Sequence, residues 1–277
     1  MRFGIDVAQH QLSWEELLAR VRYAEGAGFD GAWVFDHFQP LYGDPHGPCM
    51  EAWMLLSALA VATARIRLGS LVNGVTYRHP SVLAAQAATV DRISGGRLEF
   101  SLGAAWYEQE HAQLGIEFPA VRERAERLDE ALTVIRLLWT RDGASFDGAH
   151  YPLRDATYHP RPAQRPHPPI WIGASGERLM LPIVARHADV WHAFGSVESL
   201  QRKSSVLDRL ASEAGRDPKT IARSTNVSLS EPLDAIRRTV DGLRAAGFSY
   251  FVASWPGEGR PRVDEFVERI MPAYAKE

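Results

Sequence analysis

The sequence predicts a closed (β/α)8 barrel of the TIM type, and three observations carry that expectation. Eight stretches rich in β-branched and other apolar residues stand at 2–7, 31–36, 66–72, 97–102, 169–173, 189–193, 222–229 and 249–254. Helix-like periodic segments separate them, and strict alternation of strand and helix argues a parallel sheet. Eight such units in 277 residues match the size of a closed barrel. Residues 1–277 therefore read as one domain.

The elements follow in order. Met1-Arg2-Phe3-Gly4-Ile5 starts directly as a strand, with no charged and then apolar leader before it, so no signal peptide is expected. Ser13 and Glu16 form a capping-box signature ahead of helix Trp14–Ala27, which Gly26 or Gly28 closes. A helix over Glu51–Ala62 leads through Thr63-Ala64-Arg65 into the third strand. Pro80 suits the first position of helix Pro80–Ile93, and Gly95-Gly96 turn the chain into the fourth strand. The fourth unit carries helix Arg122–Trp139. Residues 143–168 break the alternation: Pro152, Pro160, Pro162, Pro166 and Pro168, followed by Pro169, are too many for a helix. A short hairpin, Ser145–Tyr151 against Leu153–Tyr158, followed by a rigid extended connector, is predicted there, ahead of strand five. It either braces the barrel or forms part of a lid or subunit contact. Helices over 177–187 and 231–246 complete the wall, the latter with Glu231 and Asp234 in its first turn.

Composition narrows the function classes. Apolar residues make up 45% and charged residues 23% of the chain, and the net charge is −3, so no basic signature of nucleic-acid binding is present. No run of about 18 apolar residues predicts a membrane span. Cys49 is the single cysteine, which excludes an internal disulfide and fits a cytoplasmic protein.

In a barrel of this kind the chemistry lies at the C-terminal ends of the strands. Asp36-His37 follows the second strand, and a histidine there can donate or accept a proton near neutral pH; alternatively Asp36 caps a turn and His37 fills the rim. Gly173-Ala174-Ser175-Gly176 leads from strand five into a helix. Its small residues let backbone N–H groups approach a phosphate, with Ser175 donating through its hydroxyl; the same sequence also serves as an ordinary tight turn. Asn73 could bond a ligand carbonyl or ring nitrogen, while Arg78 and His79 either bind anions or brace the following helix. Glu108-Gln109-Glu110-His111 lacks the spacing of a metal motif, so no metal is expected. No G-x-S-x-G elbow is present, and Cys49 has no evident activator. Trp33, Phe38, Trp53, Trp106 and Trp255 suggest an apolar aromatic pocket for a small-molecule substrate, although tryptophans also fill cores.

Together these motifs resemble the luciferase-like monooxygenase superfamily, and within it the coenzyme F420-dependent oxidoreductase branch. The resemblance runs over nearly the whole chain. It rests on Trp33-Val34-Phe35-Asp36-His37, on Leu68–Pro80, on Ser94-Gly95-Gly96-Arg97-Leu98, on Leu102–Glu108 and on Pro168-Pro169-Ile170-Trp171-Ile172-Gly173. It implies a barrel holding a deazaflavin, or alternatively FMN, at its mouth. It also implies a non-prolyl cis peptide within Ser70–Val72, whose bulge backs the ring. By the same resemblance Asp36 and His37 line the ring site as the catalytic pair, and Ser70 and Leu71 back the ring. Asn73 reaches the ring or ribityl chain, and Gly103, Ala104, Gly173, Ala174, Ser175 and Gly176 pack against the tail and phosphate. Ala104-Ala105 and Ser175 stand where many relatives carry glycine, and the chain is short for the superfamily, as if a lid were trimmed. The implied activity is hydride transfer between F420 and a small organic substrate. Its rivals are a reduced-FMN monooxygenase served by a flavin reductase and a barrel that binds a flavin without turnover. A homodimer is expected from the resemblance.

Overall fold

The computed structural model describes residues 1–274. Its strands are β1 (Arg2–Asp6), β2 (Gly31–Val34), β3 (Arg67–Ser70), β4 (Leu98–Gly103), β5 (Ala144–Phe146), β6 (Leu153–Ala156), β7 (Ile170–Gly173), β8 (Val190–His192), β9 (Ala222–Ser228) and β10 (Phe248–Ser254). Eight of them close a parallel barrel in the order β1-β10-β9-β8-β7-β4-β3-β2, and β5 and β6 form a separate antiparallel hairpin. The helices are α1 (Trp14–Ala27), α2 (Ala52–Ala62), α3 (Pro80–Ile93), α4 (Glu108–Leu114), α5 (Val121–Thr140), α6 (Met180–His187), α7 (Val197–Glu213), α8 (Leu233–Arg244) and α9 (Arg260–Arg269).

The local signals act as their chemistry requires. Ser13 Oγ accepts the Glu16 N–H at 3.2 Å, and Gly28 takes the left-handed conformation, φ 88°, that ends α1. The capping box is only half made, because the Glu16 carboxylate turns outward to Arg20. Most strands are a residue or more shorter than expected, and three further differences have a readable cause. Helix α6 begins at Met180, not at 177, and a turn built on the Gly176 carbonyl precedes it. Pro182 explains this: it has no N–H to give and is tolerated only in a first turn. Helix α8 begins at Leu233, leaving Glu231 in a turn, because a residue before proline, here Pro232, is disfavoured in helical conformation. The hairpin strands are shorter than predicted, since the loop between them is held from outside. Glu130 of α5 accepts the N–H groups of Ala149, His150 and Tyr151 at 2.8–3.0 Å.

The barrel interior is a packed plug at the N-terminal end. Trp33, Trp171 and Tyr250 are fully buried, with Trp33 and Trp171 ring centroids 4.4 Å apart and Trp171 and Tyr250 4.9 Å apart. Glycine opposite Trp33 makes the room: a Cβ on Gly69 would lie 2.5 Å from its ring. Glu99, also buried, accepts the Trp171 indole N–H at 2.6 Å and pairs with Arg67. This end is therefore filled, and a cavity lies toward the C-terminal ends of the strands.

Candidate functional site

A cavity of about 390 Å³ opens there. It is built from the segments after β2, β3, β4, β7 and β8. Asp36, His37, Leu71, Asn73, Gly103, Ala104, Gly173, Ala174, Ser175 and Gly176 all line it. Ser70 does not: it lies beneath, buried, with its hydroxyl 3.3 Å from Ser101 Oγ. The cavity floor is made at the Leu71-Val72 peptide, which is cis, within the expected Ser70–Val72 segment. Val72 rests on glycine backbone on both sides: a Cβ on Gly103 or Gly173 would come within 2.8 or 2.7 Å of its Cγ2.

His37 is the best-placed proton carrier. Its Nδ1 lies 3.0 Å from Glu110 Oε2. Glu110, fully buried on α4, also takes the N–H groups of Phe38 (2.8 Å) and Gln39 (3.0 Å) and the Tyr77 hydroxyl. Burial pushes the Glu110 carboxyl up, but its hydrogen bonds to His37, Tyr77 and the Phe38 N–H outweigh burial and hold it below the usual carboxylate range. An ionised carboxylate accepts only, so it fixes the imidazole proton on Nδ1 and leaves Nε2 as the open, basic nitrogen. Sequence reasoning passed over Glu110, because Glu108-Gln109-Glu110-His111 invited only a metal reading. Position within a short helix was the missed signal. In fact both His111 nitrogens are taken by protein oxygens, Thr76 Oγ1 at 2.7 Å and the Tyr107 carbonyl at 2.8 Å. Among the described residues no His, Cys, Asp and Glu cluster could hold a metal.

Asp36 takes a different part from its neighbour. Its buried carboxylate accepts from Arg78 at 2.8 Å and from the Gly74 N–H at 3.1 Å, and Arg78 also pairs with Glu51. Burial raises the Asp36 carboxyl, opposed by Arg78. Asp36 thus ties the β3 loop to the end of β2. Arg78 and His79 brace, His79 by capping α3 through the Ser81 N–H. The Asn73 side chain is likewise spent on the wall: its Oδ1 accepts from the Trp53 indole (3.0 Å) and its Nδ2 donates to the Ser101 carbonyl (2.7 Å). The Cys49 thiol donates toward the His37 carbonyl, and burial pushes its pKa up to about 12. Of the five predicted pocket aromatics only Trp106 lines the cavity. Trp33 and Trp53 are core, Phe38 packs on Tyr77, and Trp255 packs on Tyr23.

At the other end, Ser175 and Gly176 are exposed and Arg124 is the single Lys or Arg among the described lining residues. Its Nε donates to the Ala104 carbonyl at 3.0 Å and its guanidinium lies 3.8 Å from the Phe118 ring centroid. Ala105 holds φ 60°, a region that favours glycine.

Comparison with known proteins agrees with this arrangement. The family model for luciferase-like monooxygenases matches residues 1–270. The chain is 32% identical over 255 residues to an F420-dependent glucose-6-phosphate dehydrogenase of Microbacterium testaceum, covering 90% of this chain and 68% of that one. It is 31% identical over 221 residues to an F420-dependent hydroxymycolic acid dehydrogenase of Mycobacterium tuberculosis, covering 79% of this chain and 60% of that one. Across such relatives the aligned part spans 51–68% of the relative's own length. Among solved structures, an F420-dependent secondary alcohol dehydrogenase in complex with an F420-acetone adduct superposes with a TM-score of 0.87 at 20% identity, covering 99% of both chains.

Proposed function

Because the chain belongs to the luciferase-like monooxygenase family, we propose that it is an F420-dependent oxidoreductase acting as a single barrel on a small organic substrate. The observation that carries this reading is the His37–Glu110 pair, poised at a cavity whose floor is the Leu71-Val72 bulge between two glycines. The residues fit an anionic, flat-ringed cofactor. Val72 offers an apolar seat, Gly103 and Gly173 leave no side chain in the way, and Ser175, Gly176 and Arg124 give the polar end. F420, when bound, supplies hydride exchange with the substrate. His37 Nε2 takes or returns the matching proton, and Glu110 orients the ring and stabilises the imidazolium. Leu71, Val72 and Met180 keep water from the reacting face.

Relatives named for F420 support that cofactor over FMN. Titrating the purified apoprotein separately with F420 and FMN, and following the fluorescence of each, tests it. Tight F420 and weak FMN binding is expected; the reverse order moves the chain to the oxygen-dependent reading, with a flavin reductase as partner. A homodimer is supported by exposed apolar side chains on adjacent helices, Met54 and Val61 of α2 and Val82 and Ile93 of α3. Light scattering after gel filtration reads that state directly. No helix among the described residues is long and apolar enough to cross a membrane, and the cytoplasm remains the proposed location.

A further inference from the structure

The cavity's lining is sorted by charge, and the sorting bears on the substrate. Near His37 the guanidinium of Arg78 is already engaged, shared between Asp36 and Glu51, and Glu110 serves His37. His192, which also lines the cavity, adds no positive charge, since burial drives its pKa down to about 3. The one lining arginine, Arg124, is tied to the Ala104 carbonyl and stacked on Phe118, on the side where the cofactor's own phosphate is proposed to lie. A phosphorylated substrate at His37 would be desolvated against carboxylates with no free cation, which is costly.

The uncharged part of the mouth is aromatic. Trp106 is 64% and Phe194 61% exposed, and both line the cavity. Trp106 stacks on Tyr107 at 5.1 Å and meets the His37 ring edge-on at 5.6 Å. Phe194 meets His192 edge-on at 5.1 Å. Large aromatic faces left this open at the rim of a cavity with an apolar floor are suited to cover an apolar ligand.

We infer that the substrate is an uncharged molecule with an apolar or aromatic body, not a sugar phosphate, and that Trp106 and Phe194 are the side chains that select it. The inference rests on the F420 reading above. For an alcohol, the carbon gives a hydride to oxidised F420 and the hydroxyl gives its proton to His37, yielding the ketone and reduced F420; ketone reduction runs the same transfers backward.

The test loads the protein with F420 and then titrates it by calorimetry with acetophenone and, separately, with glucose 6-phosphate. Acetophenone should bind at least about tenfold more tightly than glucose 6-phosphate. Trp106→Ala and Phe194→Ala should each weaken acetophenone about fivefold or more and leave the F420 affinity within about twofold, and Trp106→Phe should restore most of the loss. Failure of the loading step refutes the F420 reading and the inference with it, before any probe is added. Normal loading followed by equal or tighter glucose 6-phosphate binding overturns the inference alone. So does the absence of acetophenone binding, or an acetophenone affinity that neither alanine moves.

Discussion

The two ends of this barrel use the same device to opposite effect. At the N-terminal end a buried carboxylate, Glu99, accepts an indole N–H from Trp171 and a guanidinium from Arg67. At the C-terminal end a buried carboxylate, Glu110, accepts from an imidazole, a phenol and two backbone N–H groups. The donors below cannot lose their protons under ordinary conditions, so Glu99 is a brace. One donor above, His37, carries a second nitrogen that opens on the cavity, so Glu110 sets the state of a group able to exchange protons. A buried carboxylate is thus structural or functional according to what its donor's far side faces.

Substitutions at the two ends should separate cleanly. The largest effect is expected from His37→Ala: turnover should fall about 10³-fold, with F420 affinity, read by fluorescence quenching, changed less than about threefold. Glu99→Gln should do the converse. It leaves Arg67 without its charge partner, and urea unfolding should show a loss of about 3 kcal/mol, while turnover of the folded fraction stays within about twofold. Glu110→Gln should fall between them, lowering turnover about 30-fold and stability by about 2 kcal/mol, because an amide cannot accept from all four donors. A turnover loss in Glu99→Gln as large as that in Glu110→Gln would erase the distinction.

The smallest effect sharpens it. Asp6 ends β1 on the upper side, and burial raises its carboxyl from 3.8 to about 6, against one bond from the Ala8 N–H at 3.0 Å. A folded-state pKa above the unfolded one means that the stability this group contributes is full below 3.8, falls as pH rises from there and is lost above about 6. Asp6→Asn should therefore stabilise the protein by about 1–2 kcal/mol at pH 8 and by about half as much at pH 5. Thermal unfolding of both proteins at the two pH values checks the sign.

Much of this was legible in the sequence, for identifiable reasons. Strand–helix alternation is a local pattern, and the strand ends named His37, Gly173 and Ser175 as mouth residues without any tertiary information. The cis bond at Leu71-Val72 was placed by family resemblance. What escaped was set by partners distant in sequence. Glu110 lies 73 residues from His37, and nothing local distinguishes a carboxylate facing a histidine from one facing water. Asn73 looked free until Trp53, 20 residues away, needed an acceptor. The hairpin loop is shaped by Glu130 on another element. The α6 and α8 starts, by contrast, were readable in place, from Pro182 and Pro232.

The central claim is that Glu110 holds His37 with its proton on Nδ1 and Nε2 open. Nitrogen-15 NMR of the His37 ring tests it without any substrate. At neutral pH the Nδ1-protonated tautomer is expected in wild type, with the preference weakened in Glu110→Gln. A predominantly Nε2-protonated ring in wild type, or an unchanged spectrum in the variant, would contradict the account.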